Sequence, residues 1–106
     1  NLSDSSIQLF DIKNPDEPLG QHFHREKDET FVFLEGGGTI TMEKVAEDGC
    51  VTGWRKQMEA GPGSVVKIPV FWTHRFDLKP GTKFIGFSSK PFDPSNKDLC
   101  PCPIDP

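Results

Sequence analysis

No stretch of this 106-residue chain approaches the roughly 20 consecutive apolar residues that carry a helix across a bilayer, so the membrane is set aside. Positive charge is also short. Twelve Lys and Arg stand against 16 Asp and Glu, for a net charge of -4, and the lysines are scattered, so nothing offers a basic field to nucleic acid. Cysteine is scarce and odd in number; Cys100 and Cys102, one residue apart, are poorly placed to pair with each other, and a disulfide scaffold is not expected. The polar start Asn1-Leu2-Ser3-Asp4 is no signal peptide, and the expected location is the cytoplasm, although a chain opening on Asn1 can have lost a leading segment. Helical periodicity is missing too: no eleven-residue window holds one.

What is present is a series of short β-type runs punctuated by Gly and Pro. Ser6 to Ile12 places Ile7 and Leu9 on one face and Phe10 and Ile12 on the other. The turn formers from Asn14 to Gly20, with two prolines, bar helix and deliver the chain to His22. Glu29 to Leu34 is a strand by its β-branched and aromatic content, and Gly36-Gly37-Gly38 is expected to reverse it as a hairpin into Thr39 to Met42. An Asp48-Gly49 turn leads to a strand from Val51 to Met58, and Ala60 to Gly63 turns the chain into Ser64 to Pro69. Trp72 to Leu78 alternates, so Trp72, His74, Phe76 and Leu78 share the inward face, and Lys83 to Ser88 is the last strand. Strands spaced in this way, in a chain of one-domain length, predict an all-β antiparallel sandwich or small barrel. The Pro-rich tail from Pro91 onward cannot continue a central strand and is expected to run over the surface, its thiols free.

The chemistry gathers around His22-Phe23-His24. Two residues apart on an extended backbone, both imidazoles project to one side, and the next strand begins with Glu29, whose carboxylate can swing back toward them. A lone strand histidine is usually a hydrogen-bonded structural residue. Here there are only three in the chain, and His74 also points inward. Arg25 and Arg75 directly follow histidines and so face away, toward solvent, while Trp54, Trp72 and the phenylalanines read as core or interface rather than as a stacking platform.

Two segments resemble the paired motifs of the cupin superfamily. The first runs His22, one residue, His24, four residues, Glu29, six residues, Gly36; the second runs Gly63, five residues, Pro69, then His74. The sequence departs from the pattern at Phe71, where a Gly is usual, at Leu78, where an Asn is usual, and at Gly20, which is displaced toward His22. The resemblance spans residues 5 to 90 and implies a single-domain cupin-type jelly-roll β-barrel with a Pro-rich tail over 91–106. By the same resemblance His22, His24, Glu29 and His74 would hold one divalent transition metal ion, with Fe, Mn, Ni, Cu and Zn all compatible with such donors.

Four protein ligands leave an octahedral ion about two positions for a small molecule with adjacent oxygen donors. Cupins include dioxygenases, isomerases and epimerases, and plain binding proteins. The leading expectation is a dioxygenase-like enzyme acting on a small oxygenated metabolite or sugar derivative, because oxygenation needs the fewest further groups. A sugar isomerase or epimerase, or a non-catalytic small-molecule or carbohydrate-binding cupin, are the alternatives. Phe31, Phe33, Trp72 and Phe76 are expected to wall the pocket, with no second acid or base in reach. A homodimer is expected as well, through the strand Ile7 to Ile12 and the rings of Phe84 and Phe87, since so small a domain gains from added burial.

Overall fold

The computed structural model describes residues 6–90, 93, 95 and 97–106; residues 1–5 and the tail positions Pro91, Phe92, Pro94 and Asn96 lie outside the described residues. Nine strands form where alternation and β-branched content direct them: β1 (Ser6–Ile12), β2 (Leu19–Phe23), β3 (Glu29–Glu35), β4 (Gly38–Val45), β5 (Val51–Ala60), β6 (Val65–Ile68), β7 (Trp72–Leu78), β8 (Thr82–Ser88) and β9 (Cys100–Pro101). No helix occurs among the described residues, and so none is long and apolar enough to cross a membrane.

The strands make two antiparallel sheets, ordered β1-β8-β3-β6 and β5-β4-β7-β2-β9, packed as the layers of a cupin-type jelly roll. Alternation sends Phe31 and Phe33 from β3, Phe84 from β8, Val66 and Ile68 from β6, and Ile40, Met42 and Phe76 from the opposing sheet into one core. Phe84 is its hub, stacked on Phe10 with ring centroids 4.6 Å apart and on Phe33 at 5.0 Å.

One expected hairpin is not a hairpin. β3 and β4 belong to different sheets, so Gly36-Gly37-Gly38 is a corner that carries the chain across the sandwich. Gly37 has φ 147°, and a Cβ there would lie 2.0 Å from the Ala60 carbonyl oxygen, while its N–H donates to Thr82 Oγ1 at 3.0 Å. The local sequence carries the turn chemistry, but which sheet receives the outgoing strand is decided by its partners: Thr39 pairs with Glu59 and Asp77, not with β3.

Of the two tryptophans expected in core or interface, Trp54 is 74% exposed, which leaves it only the interface, and Trp72 is half-buried with the Lys56 ammonium 5.3 Å above its ring. Two further expectations change. Phe84, only 1% exposed, is unavailable to any partner. The tail does more than run over the surface. β9 adds an edge strand to β2, Thr73 Oγ1 donates to the Cys102 carbonyl at 2.5 Å, and Arg75 donates to the Ile104 carbonyl at 3.1 Å while pairing with Asp77. Arg75 does face away from the histidines, but under a covering of tail rather than into open solvent.

Candidate metal centre

β2 and β7 are neighbours, and His22 pairs directly with His74 across them. A bulge between Gly20 and His22 sets that register; Gln21 takes φ 64° and its carbonyl accepts from Cys102 N–H, so the strand bends and re-aims His22 inward. Gly20 is required there. Its φ is 88°, and a Cβ would sit 2.6 Å from the His74 carbonyl oxygen. Phe71, in the position where the second motif usually has Gly, adopts the left-handed conformation with φ 60°. Its N–H donates to the His24 carbonyl and its carbonyl accepts from Val45, so the turn ahead of His74 is kept despite the side chain. The Phe71 ring stacks with Phe23, and Arg25 lies over both rings at 5.5 and 5.3 Å, facing out of the barrel.

The fold brings together the four residues singled out in the sequence. One donor atom from each of His22, His24, Glu29 and His74 lies within 4.8 Å of the others. Glu29 Oε1 is 2.7 Å from His24 Nε2 and 3.8 Å from His74 Nε2. His24 and His74 are 3% exposed. The Nδ1 of His24 is 2.5 Å from the carbonyl oxygen of Asp98, and a carbonyl only accepts, so Nδ1 carries the proton and Nε2 of the neutral ring presents a lone pair. That lone pair faces a carboxylate oxygen, also buried, and neither atom has a hydrogen bond of acceptable geometry despite the 2.7 Å separation. Two acceptors so close are stable only with a cation or a proton between them.

A transition ion with bonds of about 2.0–2.3 Å spans at most about 4–4.6 Å between opposite ligands, close to the spread of these four donors. The donor set, three imidazoles and a carboxylate, and the orphaned pair both fit such an ion.

Electrostatics separates the three rings. Burial pushes the His74 imidazole down from the ordinary 6.5 to about 4, aided by the neighbouring His22. Burial also lowers His22, with the charge of His24 next in weight. His24 suffers the same burial, but its contacts with the Glu29 carboxylate and the Asp98 carbonyl outweigh it and hold the ring above its ordinary value. Glu29 is raised by burial and lowered more by His24 and His74, ending below the usual carboxylate range.

The four residues open on a cavity of about 300 Å3. Phe31 and Phe76 line it as expected; Phe33 and Trp72 do not, because Phe33 lies deeper in the core and is fully buried. Phe10, Phe84 and Leu99 supply the rest of the apolar wall, and Gln8 and Lys27 add polar groups. Both polar side chains were missed in the sequence. Gln8 alternates onto the same face as Phe10 and Ile12, a signal that could have found it, whereas Lys27 lies in the loop between the motif's His24 and Glu29, where no periodicity says which way a side chain points.

Comparisons with known structures agree with this fold. The capsular polysaccharide assembling protein CapF from Staphylococcus aureus superposes with a TM-score of 0.72 over 94% of the chain at 22% identity. CapF with the inhibitor 3-isopropenyl-tropolone gives 0.72 over 94% at 23% identity. A single-residue mutant of the QdtA 3,4-ketoisomerase from Thermoanaerobacterium thermosaccharolyticum, in complex with TDP-4-keto-6-deoxyglucose, gives 0.68 over 89% at 19% identity. The chain spans 28% of the length of CapF and 63% of QdtA, and at these identities the likeness is one of fold. A search of curated proteins found no match. Residues 2–100, nearly the whole chain, match the family of polysaccharide biosynthesis C-terminal domains, and the chain belongs to that family.

Proposed function

We propose that the chain is a metal-binding isomerase or epimerase domain for a keto sugar carried on a nucleoside diphosphate. The observation that carries this reading is the orphaned pair, His24 Nε2 and Glu29 Oε1, set with two further imidazoles on the wall of a largely apolar cavity. One divalent transition ion held by His22, His24, Glu29 and His74 would act as a Lewis acid toward adjacent carbonyl and hydroxyl oxygens, acidifying the hydrogen on the carbon beside the carbonyl. A 4-keto sugar with a neighbouring hydroxyl presents that oxygen pair. So does a tropolone, the class of inhibitor crystallised with CapF.

The remaining work falls to the chain's own side chains. Phe10, Phe31, Phe76 and Phe84 keep water from one side of the sugar ring and lower the local dielectric, which strengthens every charge interaction in the cavity. Lys27 offers an ammonium to a sugar oxygen on which negative charge develops, and Gln8 an amide to a hydroxyl. The oxygenase expectation gains no support from the structural neighbours, whereas the isomerase alternative does, since 3,4-ketoisomerases recur among them.

We also propose that the working unit is a homodimer. Ile7, Leu9, Val32, Val65, Ile85 and Phe87 share the outer face of the β1-β8-β3-β6 sheet, and Leu9 is 65% exposed. A second copy would cover that face and the outer edge of β1.

The test is to load the apo protein separately with iron, manganese, nickel and zinc, and to incubate each form with TDP-4-keto-6-deoxyglucose in deuterium oxide. Metal-dependent deuterium incorporation beside the carbonyl, with an isomeric product, is the expected result. Oxygen consumption with iron alone restores the oxygenase, and saturable binding with no exchange under any metal leaves a binding protein.

A further inference from the structure

We infer that Asp98, in the C-terminal tail, is the positioning residue of the metal centre, acting on His24 through its backbone and on the ligand loop through its side chain. Two sets of contacts from one residue converge on the segment between His24 and Glu29. The Asp98 carbonyl oxygen accepts a hydrogen bond from Nδ1–H of His24 at 2.5 Å, and the Asp98 carboxylate accepts from the backbone N–H groups of Arg25 at 2.7 Å, Glu26 at 2.8 Å and Lys27 at 3.2 Å. Those three residues follow His24 directly and lead toward Glu29, so Asp98 holds both the ring and the loop that spaces it from the carboxylate.

The backbone of Asp98 is arranged for this. It stands at φ 49°, a left-handed conformation that Asp tolerates better than most side chains but that still costs about 1 kcal/mol. In this conformation one residue turns its carbonyl and its carboxylate toward the same segment. The neighbouring contacts anchor the strap: Cys100 pairs with Phe23, and Leu99 reaches the cavity wall. A carbonyl on Nδ1 removes the tautomer choice from the imidazole and leaves Nε2 bare toward Glu29. This is the outer-shell arrangement that fixes a metal-bound histidine, and its loss typically costs about 10–100-fold in metal affinity. Nothing in the tail's composition announces this role, because the contacts join residues more than 70 positions apart.

The metal arm of this inference rests on reading His22, His24, Glu29 and His74 as ligands; the tautomer arm does not. Three variants separate the contributions. Asp98→Asn keeps the tolerance for left-handed backbone and one oxygen acceptor, Asp98→Gly keeps the backbone conformation but removes the carboxylate, and Asp98→Pro fixes φ near about -65° and swings the carbonyl away. The ring-nitrogen NMR shifts of His24 are measured in the apo protein at about pH 9, above the ordinary histidine value of about 6.5. Metal dissociation constants are measured by chelator competition.

The expected result is an Nδ1–H tautomer in the parent, Asp98→Asn and Asp98→Gly, and its loss in Asp98→Pro. Zinc affinity should fall roughly 10–100-fold in Asp98→Pro, about tenfold in Asp98→Gly, and within about threefold of the parent in Asp98→Asn. If circular dichroism shows that Asp98→Pro has unfolded, the comparison of Asp98→Gly with Asp98→Asn decides: a gap of about tenfold supports the role, and equal affinities overturn it. A folded Asp98→Pro with the parent's tautomer and the parent's zinc affinity also overturns it. A parent that binds no metal at all but shows the Nδ1–H tautomer, lost in folded Asp98→Pro, overturns the ligand reading while leaving the positioning of His24 by Asp98 supported.

Discussion

Burial acts on all three imidazoles in the same direction, yet they end on opposite sides of their ordinary value, because His24 lies 2.7 Å from the Glu29 carboxylate and 2.5 Å from a backbone carbonyl, whereas the matching contacts of His74 are 3.8 and 3.5 Å long. The consequence for the apo protein can be given a sign. His74 drops from 6.5 unfolded to about 4 folded, so between those values the unfolded chain binds more protons, and stability from this group is complete above pH 6.5 and lost as the pH falls toward 4. Its full size is roughly 3 kcal/mol. His24 is raised and works oppositely, its contribution being present below 6.5 and lost as the pH rises through its folded value. Urea denaturation of the apo protein at neutral pH and near pH 4 should therefore show a loss that His74→Gln flattens; an identical pH dependence in that variant counts against a buried neutral His74. Phe71 gives a second test at this scale. With φ at 60°, glycine is relieved of strain that alanine keeps, so Phe71→Gly should be more stable than Phe71→Ala by about 1 kcal/mol, the reverse of the usual order. Denaturant midpoints that rank alanine first would mean that the turn relaxes on truncation.

At the scale of elements, the chain is governed by crossings between sheets. The Gly36-Gly37-Gly38 corner passes from β3 to β4 with its backbone against Ala60 and Thr82, and no side chain fits at Gly37. Gly37→Ala is expected to cost at least about 3 kcal/mol or to prevent folding, since backbone on two other segments has to move. A thermal melt within about 3 °C of the parent, equivalent to well under 1 kcal/mol, contradicts that packing. The same logic explains the bulge in β2. Its extra residue, Gln21, turns outward to the tail, accepting from Ile104 N–H at 2.9 Å, and this lets His22 stand opposite His74. A strap of tail and a bulge in a strand thus act together on one imidazole pair.

For the whole molecule, the two outer faces differ. The outer face of the β5-β4-β7-β2-β9 sheet carries polar side chains, including Thr73, Arg75 and Glu43, satisfied by the tail or by Arg55. The outer face of the other sheet exposes an apolar patch, with Ile7 at 52%, Leu9 at 65% and Val65 at 57% exposure, bordered by Asp11, Lys67 and Lys83. A homodimer through this face should be disrupted by Leu9→Glu, with the sedimenting mass falling from about twice the 11.8 kDa chain to that of one chain and the metal content unchanged. A parent that sediments only as 11.8 kDa at micromolar concentration removes the dimer.

Strand existence and the four-donor constellation were legible from the sequence by itself, since both depend on local periodicity: alternation sets the faces of β1, β3 and β7, and two-residue spacing aims His22 and His24 alike. Sheet membership was not legible, because a glycine turn has the same chemistry whether the chain returns to its own sheet or crosses to the other. The placement of Asp98, Lys27 and Leu99 is decided by tertiary structure alone. Each reaches the centre from a loop or tail with no period to reveal its facing, and Asp98 does so across 74 residues of chain to meet His24. Contacts at that separation follow from how the two sheets close around the core, and no window of sequence contains both partners.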